Sequence, residues 1–237
     1  MKYLLIGLMC LSMLLGLCKK AFTREGEDLK HYDKAISLLN KVLEIDPDDT
    51  DALIKRGASY IMKGEYDLAL KDLDRAAELD PENPKAYYNR GVVFYHKRQL
   101  DKAIADFDRA QRLAPGDVDV YNSRANVYAV KGLTGRAIED YTKALQIDPG
   151  LIKTYYNRGV LYISRKKYDL AIKDFTRSLE LDPDYAPSYQ SRAIAHYYKG
   201  EYDKSRQNVQ KALALGFPVN GSFLEALRKR TGENAEE

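Results

Sequence analysis

The sequence has 237 residues, and its 38 basic and 35 acidic side chains leave a formal net charge of +3. Charges balanced this closely argue against a nucleic-acid partner, which needs a basic face. The 45% of residues that are hydrophobic are an ordinary fraction and can supply a core shared between packed helices.

The first 18 residues differ from the rest of the chain. From Tyr3 to Cys18 the sequence carries no charge and is rich in Leu and Met, after a single Lys2. This stretch is short for a transmembrane helix, which needs ~20 apolar residues. A basic residue, a short apolar stretch and then a polar chain are typical of a secretory signal.

Both cysteines of the chain, Cys10 and Cys18, lie in this segment. The Leu-Gly-Leu-Cys box ending at Cys18 resembles the end of bacterial lipoprotein signals, in which that cysteine is lipidated and becomes the new N-terminus. Leu17 departs from that family, which has Gly, Ala or Ser there, and the two lysines that follow are unusual. The resemblance implies a lipid anchor on the periplasmic side of a cell-envelope membrane. The alternatives are a retained signal-anchor, a cleaved signal with a soluble secreted or periplasmic product, and a cytosolic protein.

The remaining chain repeats itself every 34 residues. The period is held without a slip by Pro47, Pro81, Pro115, Pro149 and Pro183. A fixed period between 20 and 50 residues indicates a solenoid, in which one supersecondary unit is stacked many times. Such an architecture favours binding over catalysis.

Two helices are predicted in each period, because apolar and small residues recur at spacings of three and four. One repeat shows both stripes: Tyr87, Gly91, Phe94, Ala103, Phe107, Ala110 and Pro115. Glycines are expected to end the first helices, and aspartates to cap the second. These residues are Gly64, Gly132 and Gly200, and Asp67, Asp101, Asp169 and Asp203.

This pattern resembles the tetratricopeptide repeat (TPR) family over about residues 30–217. The resemblance implies an all-α, right-handed superhelical solenoid of antiparallel helix pairs. We predict five units, at 50–83, 84–117, 118–151, 152–185 and 186–219. Residues 19–49 form a degenerate N-terminal half repeat, because Gly26 stands where the family has an aromatic residue.

The end of the array is atypical, as the last unit of a stack must be. His196, Ser205 and Val209 replace the aromatic, alanine and aromatic of the pattern. A Ser-x-x-Glu capping box at Ser222 predicts a short C-terminal capping helix within 220–237. We expect the tail beyond Thr231 to be disordered.

Motifs for catalysis, cofactor binding or metal binding are missing from the sequence. The only histidines are His31, His96 and His196, which lie at different positions of different repeats and without a second ligand at helical spacing. We therefore predict no cofactor, no metal and no enzymatic activity. The alternative is an enzyme or a small-ligand carrier whose groove site has no recognisable motif.

Arginines and aspartates recur beside the apolar stripes, and we predict that they form a structural ladder of ion pairs. A guanidinium next to a core is costly unless a carboxylate pairs with it. Phase alone allows Arg124 to pair with Asp106 before it or Asp140 after it. The two series are Arg56, Arg90, Arg124, Arg158 and Arg192, and Asp72, Asp106, Asp140 and Asp174.

In TPR arrays the first helices line a concave groove, and the resemblance implies that a protein or peptide partner binds there. Tyrosine offers rigid contact area, and asparagine both donates to and accepts from a peptide backbone. We expect the tyrosines to be the hot spots. The candidate site residues are Lys85, Tyr88, Asn89, Tyr95, His96, Asn122, Asn126, Lys153, Tyr156, Asn157 and Tyr197.

The carboxylate clamp of the chaperone-binding TPR proteins is incomplete here. The nearest match offers Asn122, Asn126 and Asn157, but Pro187 and Ser191 stand where the clamp has two cations. We therefore predict a scaffold that does not bind chaperone tails. Exported TPR lipoproteins of similar size include secretin pilotins and barrel-assembly components, and the analogy implies help in assembling an envelope complex.

Overall fold

The computed structural model describes residues 25–232, which contain twelve α-helices and no strand. The all-α prediction is confirmed. The helices are α1 (Glu25–Ile45), α2 (Thr50–Lys63), α3 (Tyr66–Leu79), α4 (Pro84–His96), α5 (Leu100–Leu113), α6 (Val118–Val130), α7 (Thr134–Ile147), α8 (Ile152–Ser164), α9 (Tyr168–Leu181), α10 (Ala186–Tyr198), α11 (Tyr202–Ala214) and α12 (Gly221–Thr231). The predicted anchor segment with Cys18, and the tail from residue 233, lie outside the described residues. Among the helices of residues 25–232, none combines the length and the apolar character of a transmembrane span.

The chain divides into two compact units between Asp140 and Tyr141, within α7. In the N-terminal unit each helix from α1 to α6 packs against the next, and α4 also contacts α6. Its core contains Leu73 and Phe107, both almost fully buried. In the C-terminal unit the helices from α8 to α12 pack in the same sequential way.

Glycine lets the two helices of a repeat approach closely, as the small residues of the stripe predict. A Cβ atom on Gly91 would lie 2.9 Å from the Phe107 ring, and one on Gly159 would lie 2.7 Å from the Phe175 ring. Real Cβ atoms do not come this close to a neighbour. The aromatic residue of the second helix therefore fills the space that the first helix leaves empty.

Left-handed residues end the first helices. Gly64, Gly132 and Gly200 have φ angles of 75°, 78° and 80°, which confirms their predicted role. The same position in the two other repeats holds Arg98 and Lys166, with φ angles of 60° and 57°. The left-handed turn therefore occurs in all five of these repeats, although two of them have no glycine at this position.

The aspartates that were expected to cap the second helices do not cap them. Asp67 lies in the first turn of α3, whose N-cap is Glu65, and the cap side chain makes no hydrogen bond. These helices begin one residue before the aspartate. The aspartate therefore lies in the first turn, where its negative charge interacts favourably with the positive end of the helix dipole. Asp67 also accepts from Lys97 Nζ at 2.6 Å. Asp101 and Asp169 pair in the same way with Lys131 and Lys199, and Asp203 lies 3.4 Å from Arg206.

Side-chain caps occur on the first helices of three repeats. Asp49, Asn83 and Asp117 accept from the backbone N–H groups of Ala52, Lys85 and Asp119, at 2.8, 3.2 and 2.9 Å. These three cap residues are themselves spaced by 34.

Helix α12 covers the end of the array. Leu227 is buried with Ala193 and Val209, and Phe223 and Leu224 pack beside them. The capping-box prediction is wrong, because the N-cap is Asn220, whose Oδ1 accepts from Phe223 N at 3.2 Å. The Ser222 hydroxyl hydrogen-bonds to that amide oxygen instead of capping the helix.

Candidate functional site

Helices α4 and α6 lie side by side in the N-terminal unit, and Tyr88 joins them. Its hydroxyl lies 3.2 Å from Ser123 Oγ, and its ring packs 5.8 Å from the Phe107 ring. Burial raises the pKa of the Tyr88 phenol, so it remains a neutral hydrogen-bonding group. Tyr88 thus ties the first helices of two neighbouring repeats together.

Other predicted site residues surround this contact. Lys85 is exposed, whereas Asn89, Tyr95 and Asn122 are half-buried, as is Asn126. Three amides and the Tyr95 phenol therefore lie on these two adjacent helices, and Lys85 is the one charged residue among the five. This combination can contact the backbone and apolar side chains of an extended polypeptide.

His96 is held at the end of α4 by aromatic rings. It stacks on Tyr66 with ring centroids 5.1 Å apart, and its edge meets the Tyr95 ring at 5.6 Å. Burial lowers the pKa of His96, so the neutral ring dominates at neutral pH. His96 therefore contributes to this face as a flat aromatic surface.

Tyr156 is not a solvent-facing contact residue, and the expectation that it is a hot spot is corrected. Only 2% of the residue is exposed. Its ring packs 5.9 Å from Phe175 and 5.6 Å from Tyr185. Of its neighbours in the prediction, Lys153 is exposed and Asn157 is half-buried.

Tyr197 belongs to the packing at the C-terminal end. Its ring meets those of Tyr198, Tyr202 and Phe223 edge-on, with centroids 5.5–5.6 Å apart. Tyr198 is 43% exposed and stacks on Tyr168 at 5.5 Å. The exposed aromatic surface of α10 is therefore Tyr198, next to the residue that was predicted.

The ion-pair ladder exists, and Asp140 is the partner that phase alone could not choose. Arg124 donates from Nε and Nη2 to the two carboxylate oxygens of Asp140, at 2.8 and 2.9 Å. Asp106 is occupied by Arg90 in the same two-bond geometry. Four of the five predicted arginines thus pair with the aspartate sixteen positions ahead, on the second helix of their own repeat, whereas Arg192 donates to the neutral amide of Asn208.

A second partner of the arginines was missed. Arg124 Nη1 donates to Asp108 on α5 at 2.6 Å, so each arginine is held from both sides. The sequence contains a signal for this partner, because a short polar residue stands sixteen positions before every arginine. The signal is weak because the type of that residue varies between Asn, Asp and Thr. The series is Asn40, Asp74, Asp108, Thr142 and Thr176.

His196 and Glu201 form a hydrogen-bonded pair in which the pKa values of both groups are shifted. His196 Nδ1 lies 2.6 Å from Glu201 Oε2. Lys199 and His196 lower the pKa of Glu201 to about 2, and burial lowers the pKa of His196. Because the pair spans the turn between α10 and α11, with Lys199 also bonded to Glu201, it acts as a structural brace.

Among the side chains of residues 30–232, no group of three or more His, Cys, Asp or Glu could hold a metal ion.

Comparison with protein families gives matches to tetratricopeptide repeat models at residues 27–84, 54–118, 118–151 and 152–185. The chain therefore belongs to the TPR family. Proteins of this family are in general non-catalytic scaffolds for protein–protein interaction. A comparison with curated proteins finds no match.

Solved TPR structures have the same fold. MamA is 32% identical and is aligned over 65% of this chain and 91% of its own, with a TM-score of 0.60. YrrB, described as a TPR protein with an unusual peptide-binding site, is 22% identical over 75% and 91%, with a TM-score of 0.65. PilF of Pseudomonas aeruginosa is 24% identical over 78% and 85%, with a TM-score of 0.68.

Proposed function

We propose that this protein binds an extended segment of a partner protein on the faces of its first helices. The supporting observation is the pairing of α4 with α6, joined by the Tyr88 hydroxyl and Ser123 Oγ at 3.2 Å. Beside this contact lie the amides of Asn89, Asn122 and Asn126. The resemblance to TPR arrays assigns this face to the concave groove.

The chemistry of this face suits an extended backbone. Every residue of an extended segment except proline brings one N–H donor and one carbonyl acceptor that lose water on binding. An asparagine amide can satisfy either group. Tyrosine adds apolar area at a small entropic cost. The partner is therefore expected to be an unfolded tail or loop.

The test combines Asn89→Ala with Asn122→Ala. The native partner is first captured by crosslinking in cells, and its binding segment is then titrated against both proteins. Loss of two contacts to the backbone should weaken binding about tenfold or more, equivalent to ~1.4 kcal/mol. Tyr156→Ala is unsuitable for this purpose, because emptying a buried aromatic site costs about 3–5 kcal/mol of folding stability.

The matched control is Lys143→Ala with Gln146→Ala, two exposed positions on the second helix α7. It should leave both the affinity and the melting temperature unchanged. If the control weakens binding and the asparagine variant does not, the partner binds the second helices and the assignment of the face is wrong.

We also propose that the array is held at a cell-envelope membrane by lipid on Cys18 and assists assembly of an envelope complex. This proposal rests on the apolar sequence from Tyr3 to Cys18 and on the analogy with exported TPR lipoproteins. A retained signal-anchor would also keep the array at the membrane, without a modified cysteine.

A further inference from the structure

Helix α1 occupies the place of a second helix in the array. Asp33 on α1 pairs with Lys63 on α2 at 2.8 Å, just as Asp67 pairs with Lys97 one period later. Among residues 25–232, α1 packs against α2 and no helix precedes it. Within this part of the chain, α1 therefore lacks the first helix that α3 receives from α2.

The helix runs through the position at which other repeats turn. In the next repeat Gly64 and Glu65 separate α2 from α3. The equivalent residues one period earlier, Lys30 and His31, lie inside α1. Residues 25–29, which would end a first helix, are already part of α1. The half repeat therefore cannot form its own first helix in register.

The side of α1 that would meet a first helix is apolar and exposed. Leu38 and Val42 are 54% and 39% exposed, and Ile45 follows one turn later on the same side. The equivalents of Leu38 and Val42 in α3 are Asp72 and Ala76, which are 3% and 0% exposed where α2 packs against α3. We call Leu38, Val42 and Ile45 the open face of α1.

Leu38 indicates what the open face accepts. Four other second helices have aspartate at this position, and each aspartate binds an arginine of its first helix through two hydrogen bonds. Leucine accepts no hydrogen bond, so an arginine opposite it would be buried without a partner. A helix on the open face is therefore expected to bring an apolar residue to Leu38.

Lys41, beside the open face, adds a requirement for charge. Its equivalents Arg75 and Arg109 each bind a carboxylate just before the first helix of their own repeat, on Asp48 at 2.7 Å and on Glu82 at 2.6 Å. Lys41 is exposed and makes no ion pair among the side chains that the structure describes. A helix on α1 should therefore have an acidic residue just before its first turn, where the helix dipole also favours it.

The charges distinguish between possible occupants of the open face. Residues 3–18 of this chain are apolar, but they contain no carboxylate for Lys41. Antiparallel pairing with α1 of a second copy would bring together two rows of exposed lysines, made of Lys30, Lys34 and Lys41. An acidic, amphipathic helix from another protein meets both the apolar and the charge requirement.

We propose that α1 binds an amphipathic helix of a partner protein, which takes the place of a first helix of the half repeat. The bound helix runs antiparallel to α1, as α2 does to α3. Its apolar residues lie on Leu38, Val42 and Ile45, and an acidic residue before its first turn pairs with Lys41. This site is separate from the asparagine face of α4 and α6 and does not depend on the proposed function.

The probe for this test is a first helix of the chain itself. A synthetic peptide of residues 47–64, labelled with a fluorophore at its C-terminus, contains α2 and the preceding Asp48. In one version Arg56→Leu makes the peptide complementary to Leu38. Each peptide is titrated against the full chain by fluorescence anisotropy. We expect the leucine peptide to bind the unmodified chain about tenfold or more tightly than the arginine peptide does.

Leu38→Asp should reverse this preference. The aspartate would bind the arginine peptide through the two-bond fork of the other repeats and would be left unpaired against the leucine peptide. We expect a change of about tenfold or more for each peptide, in opposite directions. Lys41→Glu should weaken binding of the leucine peptide about threefold, and Asp48→Lys in the peptide should restore it. Because Leu38 is exposed, Leu38→Asp should leave the melting temperature nearly unchanged.

Leu170→Asp is the matched control, because it places the same charge on a similarly exposed leucine of another second helix, α9. It should bind both peptides as the unmodified chain does. The proposal is wrong if the unmodified chain binds neither peptide, or if Leu38→Asp and Leu170→Asp bind them equally.

Two further measurements identify another occupant if the peptides fail to bind. A dimer that Leu38→Asp dissociates in sedimentation velocity would assign the open face to a second copy. Flotation with phosphatidylglycerol vesicles that is lost in both Leu38→Asp and Lys41→Glu would assign it to a lipid surface. Either result contradicts the proposal. Asn89→Ala with Asn122→Ala should bind the leucine peptide normally, so this proposal and the proposed function can fail separately.

Discussion

Arg98 and Lys166 adopt a backbone conformation that three other repeats give to glycine. Their φ angles of 60° and 57° lie in the left-handed region, where a Cβ atom crowds the following carbonyl. The turn is nevertheless needed at this place, because the N–H of the next residue, Gln99 or Lys167, bonds back to the carbonyl of Phe94 or Tyr162. Arg98 and Lys166 therefore adopt a strained backbone conformation because the turn of the repeat requires it.

We predict that Arg98→Gly and Lys166→Gly each raise the free energy of unfolding, by about 0.5–1 kcal/mol. Relief of the left-handed strain, ~1–2 kcal/mol, exceeds the additional backbone entropy that glycine loses on folding. Urea denaturation of both variants measures the effect. Arg165→Gly is the control, because Arg165 has a φ angle of −93° and glycine there should only destabilise. A loss of stability in all three variants would contradict the strain argument.

The sequence predicted glycines at helix ends more reliably than it predicted caps. Gly64, Gly132 and Gly200 were expected from residue type, but the strained residues were missed because the turn is imposed by packing. The aspartates such as Asp67 were misassigned because α3 begins at Tyr66, two residues earlier than a cap at Asp67 would allow. Helix starts depend on where an apolar residue first meets the core, which residue type alone does not specify.

Among the helices, the arginines act as connectors. Arg124 on α6 bonds Asp140 on α7 and Asp108 on α5, so one guanidinium holds three consecutive helices. The arginine and Asp140 side chains are only 12% and 11% exposed, while Asp108 is 38% exposed. Rings also flank the guanidinium, with Tyr121 and Tyr128 at 5.7 and 5.9 Å.

We predict that Arg124→Met destabilises the chain by about 3–5 kcal/mol, because it leaves the Asp140 carboxylate buried without its counterion. Arg192→Met removes only two hydrogen bonds to neutral partners and should cost about 1–2 kcal/mol. Thermal and urea unfolding of the two variants give the comparison. Equal losses would mean that the carboxylate partners contribute little beyond packing of the arginine stem.

Helix pairing was predictable from the period, but the environment of Tyr156 was not. The ring is covered by Tyr185, which stands where three other repeats have the cap residues Asp49, Asn83 and Asp117. The sequence shows that Tyr185 replaces the cap residue of the other repeats, but only the structure shows that its ring packs against Tyr156. Phase likewise left the partner of Arg124 open, since positions before and after it are equivalent in a perfect repeat.

For the whole molecule, the 34-residue period was enough to predict the helical architecture, because each repeat must bury its stripe against the next. The period says little about function, since stacking constrains the buried positions and leaves the surface free. The informative residues are therefore departures from the repeat, and Asn208 in place of an aspartate is one of them.

The proposed anchor predicts that Cys18→Ala releases the whole protein from membranes, whereas Cys10→Ala does not. A lipid on this cysteine would stabilise membrane binding by about 0.8 kcal/mol for each CH₂ group buried in the bilayer. The folding of the array does not depend on that lipid. Membrane fractionation of cells that express each variant, with intact-mass analysis of the mature chain, measures both location and modification. Because the array begins well after the cysteine, both variants should keep the melting temperature of the original chain. A mature protein that retains an unmodified N-terminal methionine would rule out lipidation at Cys18.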